Sequence, residues 1–271
     1  MIKISLTVIT FNEEKNIARC LHSVLGLVDE IVIIVSFSKD KTKEICLDFA
    51  QKHAHELQLV FLENAFGGYV KQKNFAISKA THSLILSLDA DEALSSELKA
   101  NILLIKQNSS ANILTEVYQM PRLTNYCGKW IKHTDWYPDK KIRLFDKNIA
   151  FWGGIDPHDK IIIKENTNKI SIKTFKGDIL HYSFYSIKQH IQQLDKFTSI
   201  NAEEAFLRGK KASLWKILGS PVLKFFSSYV VRLGFLDGYA GFLVCTISAF
   251  ASFVKYIKLR ELWENKGNQN K

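Results

Sequence analysis

Asp89, Asp91 and Glu92 set three carboxylates around a single alanine at the end of the apolar run "SLILSL", residues 83–88. Two carboxylates one residue apart at a strand end can face a common point. A hard divalent cation, Mg2+ or Mn2+, accepts such oxygens, and a diphosphate completes its coordination. A lone D-x-D is also common in surface turns, so the motif gains force from its surroundings. In "DILHYSF", His181 ends another apolar run and is a candidate for the same cation or diphosphate, beside the plainer reading of a buried, hydrogen-bonded histidine.

The elements that must position these groups follow from hydrophobic pattern. "ISLTVIT", "EIVIIV", "LQLVFL" and "SLILSL" read as buried strands, separated by helical stretches such as Ile17, Leu21, Val24 and Leu25. Asn12 is expected to cap that first helix, with Glu13 and Glu14 in its first turn, and Asp40 to cap the helix carrying Ile45 and Phe49. Continuous apolar strands alternating with helices predict an α/β fold, a mostly parallel sheet covered on both faces. Ligands of such sheets collect at the carboxyl ends of the strands. That puts "TFNEE", "SFSKDKT", "ENAFGGYVKQKN" and "DADE" on one polar, aromatic rim.

At 271 residues and 46% hydrophobic content the chain can bury a substantial core. Its net charge of +10 calls for an anionic partner: nucleic acid, an acidic membrane surface or a phosphorylated ligand. No nucleic-acid-binding motif is present and the basic residues are scattered, which argues against nucleic acid. Cys20, Cys46, Cys127 and Cys245 are widely spaced, so neither a zinc site nor a disulfide framework is expected, and a reducing cytosol fits. The opening "MIKISLTVIT" reads as a first strand rather than a signal peptide.

"SLTVITFNEEKNIARCLHSV", "EIVIIVSFSKDKT", "GYVKQKNFAISKA" and "LILSLDADEALS", in that order, resemble family 2 glycosyltransferases. "GYVKQKNFA", "DWYPDKKIRLFDK", "GGIDPHDKI" and "LGFLDGYAGF" are similar to the lipopolysaccharide-core beta-glucosyltransferase-like branch. The resemblance implies a GT-A, Rossmann-like fold, a nucleotide-diphosphate sugar donor, a divalent metal and inversion at the anomeric carbon. By position, Thr10, Phe11 and Glu13 would lie against the nucleoside, Lys73 would face the nucleotide, Arg143 matches the arginine of the family's "RLF" and suits a phosphate or a carboxylate, and Asp89 would face ribose or metal. Asp91 would be the principal metal ligand. Where the family has a histidine followed by an acid, this chain has His158 and Asp159: Asp159 is the candidate base, His158 its orienter or substitute, and an ordinary turn after Pro157 is the alternative. The family usually carries an aspartate facing uracil where this chain has Val35, which implies a less selective base site, a different nucleotide or a fold that has lost its activity; weakened uridine recognition with the reaction retained is the favoured expectation.

The aromatic loop "GKWIKHTDWYPD" reads equally as a sugar platform or as packing. From about residue 186 the pattern turns helical, with an apolar stripe through Ile187, Ile191, Leu194, Phe197 and Phe206. The segment beyond is apolar, aromatic and basic, but its longest uncharged run, Gly238 to Val254, is at the lower limit for a span. A helical, membrane-associating appendage lying on the leaflet is expected, with Lys224, Arg232, Lys255, Lys258 and Arg260 on anionic headgroups; a buried helical pair that caps the domain or forms a dimer is the alternative. The expected organisation is a GT-A domain over 1–185 (1–95 for the nucleotide sugar, 96–185 for acceptor and catalysis), an interfacial region over 186–263 and a disordered tail over 264–271. The expected activity is hexose transfer, glucose first, from a UDP-linked sugar to a lipid-linked or lipopolysaccharide-core saccharide. The expected place is cytoplasmic, peripheral on the inner face of the bacterial cytoplasmic membrane. The alternative is a non-catalytic nucleotide-sugar-binding or scaffold protein of the same fold.

Overall fold

β-branched runs too apolar for either face to meet water form the centre of the protein. A computed structural model describes residues 2–108, 116–156, 158–164 and 170–269. Its first part alternates β1 (Ile4–Thr10), α1 (Ile17–Ser23), β2 (Glu30–Val35), α2 (Thr42–His53), β3 (Gln58–Glu63), α3 (Tyr69–Lys79) and β4 (Leu84–Asp89). These four strands are parallel in the order β3-β2-β1-β4. Successive side chains of β2 enter different cores: Ile31, Ile33 and Val35 pack with Leu6 and Val8, whereas Val32 and Ile34 pack with Ile85 and Phe145. Two covered faces are what the continuous apolar runs require.

The chain continues through β5 (Glu92–Leu94), α4 (Ser96–Asn108), β6 (Glu116–Tyr126), β7 (Lys129–Ile131), β8 (Asp139–Asp146), β9 (Ala150–Ile155), β10 (His158–Ile163), β11 (Ser171–Thr174) and β12 (Ile179–Phe184). The sheet extends past β4 in the order β8-β6-β12-β5, with antiparallel pairing at β4–β8, β6–β8 and β12–β5. β9 and β10 form a separate antiparallel pair. This is an α/β, GT-A-type arrangement followed by α5 (Ile187–Leu207), α6 (Leu214–Phe226) and α7 (Gly238–Gln269).

The chain divides into two compact units, Met1–Arg122 with Asp139–Tyr182, and Leu123–Pro138 with Ser183–Lys271. In the second, α5 and α6 each pack along α7. Trp136 stacks on Phe184 at 5.5 Å, and His190 sits edge-on to Tyr126 at 5.3 Å. Packing therefore occupies Trp136, and the same loop's His133 and Asp135 bond Asp237 and Lys224. With the turn before it, α7 is long and apolar enough to cross a membrane by length and composition, and 28% of its apolar window is buried in the protein.

Three local expectations are corrected. Asn12 does not cap α1, which begins only at Ile17 with neither Glu13 nor Glu14 in its first turn. Instead Asn12 Oδ1 accepts from Lys39 N at 2.8 Å, because both rim loops need partners for their backbone N–H groups. On α5 the buried row is His190, Leu194, Thr198 and Ala202, while Ile187 and Ile191 are exposed. α7 runs through 264–269, part of the segment expected as a tail, and 270–271 lie outside the described residues.

Candidate active site

β4 ends on Asp89, directly opposite Ile9 of β1, so Thr10 and the carboxylates share one rim of the first unit. Two buried cations hold Asp89. Lys73 Nζ lies 2.8 Å from Asp89 Oδ1 and 2.8 Å from Asp159 Oδ2, and Arg143 Nη2 donates to Asp89 Oδ2 at 2.6 Å and to Glu92 Oε1 at 2.6 Å. Burial alone would push the Asp89 carboxyl up; Arg143 and Lys73 overturn that and hold it well below the usual range. Burial likewise opposes the Arg143 charge, and Asp89 and Glu92 more than offset it.

Both cations rest against one ring. Lys73 Nζ is 4.0 Å and Arg143 Cζ 5.3 Å from the centre of Trp152, a distance at which a desolvated cation gains from the ring quadrupole. Trp152 is fixed from three sides: Asn74 bonds its backbone N and O at 3.1 and 2.7 Å, and its Nε1 donates to Ser87 Oγ at 3.2 Å. Glu92 is wholly buried; it takes Asp89 N at 3.0 Å and faces Arg122, whose Nη2 pairs with Asp139 at 2.7 Å.

Asp91 stands apart from that cluster. Its Oδ2 lies 3.2 Å from His181 Nε2, because β5 and β12 pair with His181 opposite Glu92. Tyr182 N also donates to Asp91 O at 2.9 Å, fixing the turn. Among the described residues no three His, Cys, Asp or Glu side chains converge on one point. One carboxylate and one imidazole, each partly exposed, still fit a divalent cation that takes its remaining oxygens from phosphate and water. Glu13 feels both groups: burial pushes its carboxyl up to about 7, Asn16 pulls it down, Asp91 and Asp40 raise it further, and His181 lowers it.

The rim loops are stitched together. Asn12 N donates to Ser38 Oγ at 3.0 Å, Glu13 N to Thr42 Oγ1 at 2.8 Å and Glu14 N to Asp40 Oδ2 at 3.0 Å. Asn12 and Phe37 adopt φ of +56° and +52°, a conformation that side chains other than glycine take only when neighbours enforce it. Phe11 and Phe37 stand more than half exposed there. The buried Thr10 Oγ1 and Arg143 Nε find no hydrogen-bond partner among the described residues. Such orphaned groups suit a polar ligand.

The structure thus brings together Lys73, Asp89, Arg143 and Asp159, and separately Asp91 with His181. It leaves His158 exposed on β10 and Val35 fully buried, paired with Thr10 at the end of β2. Pro157 lies outside the described residues. Trp152, Arg122 and Asp156 were not expected. Asp156 Oδ1 takes Val70 N at 3.1 Å, and a Cβ on Gly68, at φ +108°, would come within 2.1 Å of its Oδ2, so glycine is required there. "FWGGID" carried the signal for two of the three, an aromatic and an acid around a glycine pair, but no spacing tied either to α3.

Comparisons agree with this geometry. Residues 5–156 match glycosyl transferase family 2. An uncharacterized glycosyltransferase of Rickettsia typhi is 32% identical, over 97% of this chain and 88% of its own length. The lipopolysaccharide core biosynthesis glycosyltransferase LpsC of Rhizobium meliloti is 22% identical over 98% of this chain and 95% of its own. Among solved structures, the mannosyltransferase PcManGT from Pyrobaculum calidifontis, in complex with GDP-Man and Mn2+, shares the fold with a TM-score of 0.56 at 14% identity, covering 97% of this chain and 87% of that one. With more than half of its length matched and its rim built as that fold requires, the chain belongs to glycosyl transferase family 2, a glycosyltransferase that moves sugars from nucleotide-sugar donors to acceptors.

Proposed function

We propose that this chain transfers a hexose, glucose first among candidates, with inversion from a UDP-linked sugar to a lipid-linked or lipopolysaccharide-core saccharide at the inner face of the cytoplasmic membrane. The observation that carries the reading is Lys73, whose one ammonium joins Asp89 at the end of β4 to Asp159 on β10. It ties the donor rim to the candidate base. The lipopolysaccharide-core name of the Rhizobium relative supports the acceptor class.

Thr10, Phe11 and Glu13 take the nucleoside in this reading, with Phe11 offering a ring face to the base. Lys73 and Arg143 hold Asp89 and, through it, the floor of the site. Mg2+ or Mn2+ held by Asp91 and His181 would supply positive charge against the departing diphosphate. Asp159 accepts the proton of the acceptor hydroxyl as that oxygen bonds the anomeric carbon. The bond from this carbon to the diphosphate oxygen breaks on the opposite side, and its electron pair leaves with the nucleoside diphosphate. Lys73 orients Asp159 for this task.

A panel of nucleotide sugars with lipid-extract acceptors tests the reading through release of nucleoside diphosphate. Asp159→Asn is expected to keep donor binding and lower turnover roughly 100-fold or more, since it removes proton acceptance without changing volume. Asp91→Ala is expected to weaken metal-dependent donor binding instead. Turnover of Asp159→Asn within a few-fold of the parent would move the base elsewhere, and absence of any transfer by the parent would favour a non-catalytic binder.

A further inference from the structure

A cavity of about 500 Å3 in the second unit is walled by Arg208, Lys210, Lys211, Lys216 and Lys255. The single carboxylate in the wall, Glu204, is engaged by Arg208 one helical turn away. Among the described residues, no salt bridge neutralises Lys210, Lys211, Lys216 or Lys255. Gathering like charges around one hollow raises the free energy of the empty protein, and a bound anion lowers it.

The hollow is also built rather than incidental. Trp263 Nε1 donates to Lys210 O at 2.7 Å and Lys210 N to Ala205 O at 2.9 Å, so the backbone of Lys210, between Arg208 and Lys211, is held through both its N–H and its C=O. Lys216 lies on α6 between Trp215, 88% exposed, and Ile217, which is buried, with Leu214 and Leu218 more than 60% exposed on the outer side. Cations lining a hollow beside uncovered apolar side chains match the two ends of an amphiphile. Of the five cations expected on headgroups, Lys255 lines this hollow, whereas Lys224, Lys258 and Arg260 are tied to Asp135, Asp195 and Glu264.

We propose that this cavity binds the phosphate headgroup of an anionic phospholipid, with the acyl chains against the exposed face of α6. The proposal rests on the membrane location argued above and adds a defined site to it. The test uses the full chain with vesicles of phosphatidylcholine alone and with phosphatidylglycerol added, read by co-sedimentation. The variant K211Q/K216Q/K255Q is compared with K3Q/K52Q/K79Q, which removes equal charge from exposed positions of the first unit. The cavity variant is expected to lose roughly 10-fold or more in partitioning to anionic vesicles beyond any loss in the control, with binding to neutral vesicles and the melting temperature unchanged. Single substitutions at Lys216 and Lys255 repeat the test should the triple variant melt early. Equal losses in both variants would overturn the site in favour of a diffuse field. Glycerol 3-phosphate bound by the cavity as tightly as the vesicles would overturn the lipid assignment in favour of a soluble anion. Donor hydrolysis, measured without vesicles, is expected to be the same in all variants, so failure of this site is distinguishable from failure of the catalytic reading.

Discussion

Glu13 carries a carboxyl on the rim that is pushed up to about 7, by burial first and by Asp91 and Asp40 after it. Since the folded form holds its proton up to higher pH than the unfolded chain, folding binds protons between about 4.5 and about 7. Stability is therefore fully supported by this group below 4.5 and falls as pH rises through 7. Glu13→Gln is expected to remove that slope and to raise stability at pH 8 relative to pH 5 by on the order of 1–2 kcal/mol after allowance for partial solvation. Thermal melts across this range check it; parallel pH dependences in parent and variant would show that Glu13 titrates normally. Asp89 was legible in the sequence because it ends a strand whose pattern is plain, whereas Lys73, Arg143 and Asp159 were singled out by the family resemblance, since none of them closes a strand or opens a helix. Trp152 was not legible: its value lies in the two cations stacked on it, a tertiary coincidence with no spacing in the chain. Val35 rests on the resemblance alone: it pairs with Thr10 at the end of β2 and packs with Ile31 and Ile33, a placement that does not by itself assign it a role toward the base.

Among elements, the first four strands and their helices follow from apolar runs that can only be buried, whereas β5 has three residues and no readable pattern of its own. Its place comes from pairing with β12, which is also what sets His181 beside Asp91. α5 exposes a different limit. Apolar periodicity picks out Ile187 and Ile191, yet the buried row contains a histidine, a threonine and an alanine, because the aromatic cluster of Tyr126, Trp136 and Phe184 shelters His190 and gives its Nδ1 a partner in Tyr126 Oη at 3.1 Å. Burial pulls the His190 pKa down to about 4. The unfolded chain takes up the proton nearer 6.5, so the stability of the second unit is lost as pH falls from about 6.5 toward 4. His190→Gln is expected to flatten this acid limb in near-ultraviolet circular dichroism, which reports the aromatic cluster. An unchanged acid midpoint would place the titrating group elsewhere.

At the scale of the whole molecule, the charge of +10 and the uncovered apolar surface belong to one arrangement. α6 leaves Leu214, Trp215, Leu218, Val222, Leu223 and Phe226 exposed along its length, a run of large apolar side chains of the kind that marks an interaction surface. α7 is the more apolar helix by length, but Val244, Cys245, Ile247, Ala249 and Leu259 are buried, and α5 and α6 pack along it. α6 therefore offers an apolar face free to enter a bilayer, and Leu236, Tyr239 and Phe250 at and beyond the start of α7 are exposed as well. Exposed side chains contribute little to folding, whereas each Trp, Leu or Val moved from water into the acyl region contributes on the order of 1.5–3 kcal/mol. Trp215→Ser, Leu218→Ser and Val222→Thr combined should leave the melting temperature within a few degrees of the parent and lower partitioning to neutral phosphatidylcholine vesicles by roughly 100-fold or more. The cavity lysine variants keep this neutral binding, so the two contributions separate in one assay. A melting temperature that drops sharply, and does so more at low protein concentration, would instead show that a second copy of the chain covers this face and that the membrane is not its partner.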